Sequence, residues 1–243
     1  MLEAALKIKT DFQSPNFNER PLGAKIDFLI IHYTACDFDF SLEILCDPLR
    51  ENPVSAHYLI DESGKVFRLV DEMKRAWHCG QSFWKGKEQL NDFSIGIELV
   101  NPGRGATYRP FIKAQMNSLC ALAKGIIQRH AISPQHVLGH SDVAPLRKED
   151  PGELFDWKWM AAQGIGLYID EPHIAGASAA PSIALLQSLL AQYGYKIPLH
   201  GQLDFDTQKV IQAFQMHFCP QALAKNDLVI TARILEKLIQ KVF

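Results

Sequence analysis

"SIGIELV", residues 94–100, alternates so that Ile95, Ile97 and Leu99 share one face of an extended segment, leaving Ser94, Gly96 and Glu98 on the other. A strand of this kind buries its aliphatic face and projects a glutamate from the opposite one. Upstream, "KIDFLIIHY" (25–33) is a short apolar run with β-branched residues, read as a central strand that delivers His32 at its C-terminal end. "SAHYLIDESGKVFRLV" (55–70) carries two strand-like runs around Asp61, Glu62, Ser63 and Gly64, which predicts a hairpin with His57 near its start.

Downstream of Pro110, Ile112, Met116, Leu119, Ala123, Ile126 and Ile127 follow the three-and-four spacing of an amphipathic helix. Ser133-Pro134 interrupts it, and "HVLGH" (136–140) returns the chain to the sheet with His140 at the strand end. Strands mixed with helices predict an α/β fold, a mixed central β-sheet flanked by helices, because the hairpin excludes an all-parallel sheet.

"GIGLYIDEPHIAGASAAP" (164–181) is rich in Gly, Ala and Pro without periodicity, as expected of a surface linker, here set at 169–180 between a main domain (1–168) and a second one (181–243). In the second, Ile183, Leu186, Leu189, Leu190 and Tyr193 form one helical stripe ended by Gly194. Val210, Phe214 and Phe218 mark another after Asp204 and Asp206, and Ile230, Ile234, Leu235, Leu238, Ile239 and Val242 a third. Three helices in so short a stretch make a marginal core, so this bundle is expected to lean on the larger domain.

Of the 243 residues, 47% are hydrophobic and 21% charged, and the formal charge is −2, which places the chain among ordinary globular proteins. Interspersed signs leave no basic footprint for nucleic acid and no cationic face for an anionic membrane. No segment is long enough to span a bilayer, and "MLEAALKIKTDF" lacks the apolar run of a signal peptide. Five cysteines, Cys36, Cys46, Cys79, Cys120 and Cys219, without C-x-x-C spacing, read as free thiols, although an oxidising compartment could still pair two of them.

Two histidines at strand ends and a nearby carboxylate could form an open three-ligand zinc site with water in the fourth position. "HSDVAPLRKEDPG" (140–152) offers two carboxylates. Asp142 shares the face of His140 if the strand continues, whereas Asp150 returns only through a loop, which Pro145, Pro151 and Gly152 allow. Both remain open on spacing, beside the plainer reading of a solvated charged loop. No H-E-x-x-H run exists, so the helical zincin pattern is excluded.

"IHYTA" (31–35), "SAHYLI" (55–60), "RAWHCG" (75–80), "LNDFSIGIELVN" (90–101) and "GHSDVAPLRKEDPG" (139–152) follow one another in an order that resembles bacterial zinc-dependent N-acetylmuramoyl-L-alanine amidases. The resemblance is to the AmpD/AmiD group of the amidase-2 family, related in fold to peptidoglycan recognition proteins and T7 lysozyme, and runs from about residue 25 to 168. "LLAQYGY" and "VIQAFQMHF" resemble the helical peptidoglycan-binding domain of its two-domain members.

The resemblance implies His32, His140 and Asp150 as ligands of one zinc ion, with Asp142 as a supporting group. It implies Glu98 as the catalytic carboxylate, moving a proton from the attacking water to the leaving amine, and Lys148 as its partner at the reacting carbonyl. His57 and His78 are expected in or behind the pocket and Trp77 on its wall, each with packing as the alternative. Many relatives carry a second acid after "GIEL", where this chain has Val100. The expected activity is cleavage of the bond between N-acetylmuramic acid and L-alanine in peptidoglycan or anhydro-muropeptides, for wall turnover or recycling. A muropeptide receptor without catalysis and a zinc peptidase cutting within the stem are the alternatives. The resemblance favours the cell envelope, and the N-terminal sequence favours the cytoplasm.

Overall fold

The computed structural model describes residues 6–170 and 180–242. In chain order its elements begin with β1 (Ile8–Lys9), β2 (Phe17–Glu19), β3 (Phe28–Tyr33), α1 (Phe38–Cys46), β4 (Tyr58–Ile60), β5 (Val66–Arg68) and β6 (Lys74–Ala76). There follow β7 (Phe83–Trp84), β8 (Lys87–Glu88), β9 (Ser94–Leu99), α2 (Lys113–His130), β10 (Val137–Gly139), α3 (His140–Val143) and α4 (Trp157–Ala162). The C-terminal segment holds α5 (Ile183–Tyr193), α6 (Phe205–Phe218), α7 (Pro220–Leu223) and α8 (Leu228–Val242).

Six strands form the central sheet in the order β1-β5-β4-β9-β3-β10. All neighbours are parallel except the β4–β5 hairpin, whose residues Tyr58 to Ile60 pair with Arg68 to Val66. The sheet is therefore mixed, and the hairpin lies where Asp61 to Gly64 place it.

Alternation decides what covers each face. Leu29, Ile31, Ile95, Ile97 and Leu99 share a buried cluster with Met116, Leu119, Ala123 and Ile126 of α2. Each such side chain contributes roughly 1.5–3 kcal/mol by leaving water, so the apolar face of β9 is committed to α2. Ile112 does not join that core: it is the N-cap residue of α2 and is exposed.

On the other face Phe28, Ile30 and Leu138 join a cluster that also holds Leu186, Leu190, Phe214, Leu235 and Leu238. The C-terminal helices thus share an apolar core with the sheet. Two of them begin at capped positions: Ser182 accepts from the Leu185 N–H at α5, and Asp204 from that of Thr207 at α6. Gly194, at φ +149°, lies against the Trp84 ring, where an added Cβ would come within 2.8 Å of it. The described residues of this segment form four helices, not three, because Pro220 opens the extra turn α7 just after α6 ends at Phe218. Most of the linker expected at 169–180 falls on 171–179, outside the described residues. The five cysteines are free thiols, and no described helix is long and apolar enough to cross a membrane.

Candidate active site

Near the C-terminal end of β3, His32 lies beside Glu98 of β9, the two residues paired in the parallel register. β10 lies on the other side of β3, pairing Gly139 with Ile31, and the next residue, His140, starts α3 rather than extending the strand. After α3 the chain curls back until the Ser141 N–H donates to the Asp150 carbonyl at 2.9 Å. Gly139 tolerates this return because a Cβ there would lie 2.7 Å from Pro151 Cδ. Arg147 ties the outer part of the loop down by donating to the carbonyls of Cys79 (2.8 Å) and Gln81 (2.6 Å).

His32 Nδ1, His140 Nδ1 and Asp150 Oδ2 consequently form a triangle 3.0 Å on each side. All three residues are buried. Their protonation follows from the partners behind them. His140 Nε2 lies 3.1 Å from the Cys79 carbonyl, which can only accept, so the proton is on Nε2 and Nδ1 presents a bare lone pair. The Ser94 hydroxyl donates to the Leu90 carbonyl at 2.6 Å and so accepts from His78 Nε2 at 3.2 Å. His78 Nδ1 is then an acceptor for His32 Nε2–H at 3.0 Å, which leaves His32 Nδ1 bare as well.

Two imidazole lone pairs and a carboxylate oxygen thus converge with no proton of their own between them. This donor set fits a divalent transition metal of the zinc type, with the second imidazole nitrogens fixed by hydrogen bonds. A second grouping, His32, His78 and Cys79, is also close enough to hold an ion. Its chemistry differs: His32 Nε2 carries the proton given to His78, and burial raises the Cys79 thiol far above its ordinary value, so that group remains a hydrogen-bonded chain.

Burial, reinforced by His140, lowers the His32 pKa to about 4. Burial also holds His78 well below its ordinary value, helped by His32. Desolvation by itself would raise Asp150, but where an Nδ1 proton stands in place of the ion, the charge and hydrogen bonds of His140 and His32 overcome it and hold the carboxyl well below its ordinary range. Glu98 goes the other way: burial and then the charge of Asp150 push it up to about 8, with Lys148 opposing. Its Oε2 is buried without a hydrogen-bond partner among the described residues.

The cluster opens into a cleft of about 440 Å³, lined among others by Trp77, His78, Glu98, Lys148 and Lys209. Trp77 forms part of the wall and donates through Nε1 to Asn18 at 2.8 Å. His57 lies behind His78 with ring centroids 5.6 Å apart, accepting from Gly96 N–H and donating to the Lys74 carbonyl. Asp142 points away from the triangle and accepts from the Gly139 N–H (2.7 Å), Tyr195 hydroxyl (2.5 Å) and His217 Nδ1 (2.6 Å). Val100 belongs to the apolar core beneath α1 with Leu45 and Leu59. Arg147, Tyr195, Lys209 and His217 were not singled out by sequence reasoning. Of these, Tyr195 and His217 lie within "LLAQYGY" and "VIQAFQMHF", which pointed to the C-terminal domain and not to the site.

A mostly parallel sheet whose strand ends and one returning loop gather two imidazoles, two carboxylates and a lysine in one cleft defines an α/β hydrolytic enzyme. A family model described as N-acetylmuramoyl-L-alanine amidase matches residues 22–153, and one of a peptidoglycan binding domain matches residues 179–222. The N-acetylmuramoyl-L-alanine amidase AmiD of Escherichia coli K12 is 43% identical over 235 residues, covering 89% of this chain and 83% of its own. The structure of the E. coli AmiD complex with anhydro-N-acetylmuramic acid-L-Ala-D-γ-Glu-L-Lys superposes with a TM-score of 0.80 at 39% identity, covering 93% of this chain and 98% of that one. AmpDh3 of Pseudomonas aeruginosa, in complex with anhydromuramic pentapeptide, gives 0.78 at 34% identity, covering 100% and 99%. The chain belongs to the N-acetylmuramoyl-L-alanine amidase family.

Proposed function

We propose that the protein is a zinc amidase that hydrolyses the amide between the lactyl group of N-acetylmuramic acid and L-alanine, in peptidoglycan and in anhydro-muropeptides. The observation that carries this reading is the convergence of the bare His32 and His140 Nδ1 atoms on Asp150 Oδ2, beside the unpartnered Glu98 oxygen. One zinc ion per chain would be held by those three residues. When bound, it supplies a Lewis acid that polarises the scissile carbonyl.

Glu98 takes a proton from the attacking water as its oxygen bonds to the carbonyl carbon, and returns one to the alanine nitrogen as the carbon–nitrogen bond breaks. Burial makes the Glu98 carboxylate a stronger base than an exposed glutamate and lets it hold the proton it later returns. Cationic charge among the three donors would lower its pKa and keep it ionised for the first task. Lys148, on the cleft wall, offsets the negative charge that gathers on the carbonyl oxygen. Behind the cluster, the His78–Ser94 pair keeps His32 in the required tautomer.

Residues 1–168 form the catalytic domain and 181–243 the wall-binding domain, joined through 169–180. The family match over 179–222 supports the second role, as do the exposed apolar side chains of Leu199 and Phe205. Replacing both by serine should reduce pelleting on isolated sacculi while leaving turnover of soluble muropeptides unchanged; undiminished pelleting rejects this role for them.

Mass spectrometry of digested muropeptides tests the reaction. Free stem peptides beginning with L-alanine are expected. Shortened stems still attached to the sugar would make the protein a peptidase, and unaltered muropeptides would make it a receptor.

A further inference from the structure

We propose that Tyr195 and His217, both in the C-terminal segment, are positioning residues for the metal cluster, acting through Asp142 on the turn that carries His140 and Asp150. The inference rests on the reading of that cluster as a zinc site. Asp142 has no exposed side-chain surface. Its Oδ2 accepts from the Gly139 N–H, one residue before His140, and closes the first turn of α3 from within. The donors that complete this carboxylate come from elsewhere in the chain: the Tyr195 hydroxyl on Oδ1 and His217 Nδ1 on Oδ2.

Each donor is itself fixed by packing. The His217 ring is stacked between Trp157 and Phe218, with centroids 3.7 Å from both. Tyr195 meets Trp84 edge-on at 4.8 Å, and its burial keeps the hydroxyl protonated, a donor at any working pH. A buried carboxylate deprived of either partner must find another, and the group nearest to hand is the backbone of the turn it closes. Any shift there moves the His140 imidazole and, through the Ser141–Asp150 hydrogen bond, the Asp150 loop. The C-terminal segment then belongs to the catalytic unit as well as to any wall-binding task.

The test uses the full chain, wild type and carrying Tyr195→Phe, His217→Leu, His217→Asn or Leu238→Ala. The zinc dissociation constant is read by competition with a chromophoric chelator, and the visible spectrum is read after loading with Co²⁺. Tyr195→Phe and His217→Leu should weaken zinc binding on the order of 10- to 100-fold and alter the Co²⁺ bands. His217→Asn, whose amide N–H can stand where Nδ1–H stood, should restore both. Leu238→Ala, a packing change in the same apolar cluster, should lower Tm and leave zinc affinity and spectrum as in wild type. If His217→Leu does not fold, Tyr195→Phe, which loses one hydroxyl, decides alone. Wild-type affinity and spectrum in Tyr195→Phe would overturn the inference, as would an equal loss of zinc in Leu238→Ala. A wild-type protein that binds no zinc would instead reject the parent reading.

Discussion

His32 and Glu98 face each other in register on adjacent parallel strands, so the first proposed metal ligand and the proposed proton carrier are held one strand spacing apart by backbone hydrogen bonds alone. This fixes their separation without help from any loop. Substituting one should therefore leave the other in place. Glu98→Gln is expected to retain zinc at wild-type stoichiometry and to lose about 10²- to 10⁴-fold in kcat; metal analysis beside muropeptide turnover checks it, and a variant with near wild-type kcat removes Glu98 from the chemistry.

Asp150 is the member of the triangle that reaches it by a loop. Asp150→Asn should lose metal and activity together, because the two bare imidazole nitrogens alone make a weaker, uncharged pair. Retained zinc with lost turnover would assign Asp150 to another role.

Lys148 lines the cleft and opposes the raised pKa of Glu98. Lys148→Ala should lower kcat about 10²- to 10³-fold with a smaller change in KM, as expected for a charge that matters most when the carbonyl oxygen becomes negative. A rise in KM at constant kcat would make it a binding residue.

Gly96 sits against the His78 ring, and a Cβ there would come within 2.4 Å of the ring's Cγ. Gly96→Ala must displace His78, the acceptor for His32 Nε2–H. The expected cost is about 1–3 kcal/mol in urea unfolding together with reduced zinc affinity. Wild-type stability and metal binding would show that the strand can shift to make room.

Stability at acid pH has a specific contributor away from the cleft. Burial tends to raise Glu72, but hydrogen bonds from Arg129, Tyr58 and His130 outweigh it and hold the carboxyl down at about 2. A depressed folded-state pKa stabilises fully above the unfolded value of 4.5 and loses that contribution as pH falls through about 2. Glu72→Gln should cost about 1.5–3 kcal/mol at pH 7, and the gap from wild type should narrow steadily below about pH 4.5. A gap constant from pH 7 to 3 contradicts the assignment.

The strands of the sheet were legible where apolar residues alternate or run together: β3, β4, β5, β9 and β10 lie in the stretches so read. β1 and β2, two and three residues long, are too short for any period to show. α2 followed its stripe, apart from Ile112, which caps the helix instead of entering the core. For the site, the residue pattern could mark His32 and His140 as polar groups at strand ends and Glu98 as projecting from a strand's polar face, but it could not choose between Asp142 and Asp150, since that choice depends on a loop's return. The structure turns Asp142 towards Tyr195 and His217 and brings Asp150 to the imidazoles. Partners supplied from so far along the chain have no local signature, which is why nothing in the sequence tied Tyr195 and His217 to the site.

Anomalous diffraction at the zinc edge from crystals of the full chain tests the central claim most directly. The account predicts one peak per chain, about 2.0–2.1 Å from His32 Nδ1 and His140 Nδ1 and at a similar distance from an Asp150 carboxylate oxygen. A peak between His78 and Cys79, or none after growth with zinc, would contradict it.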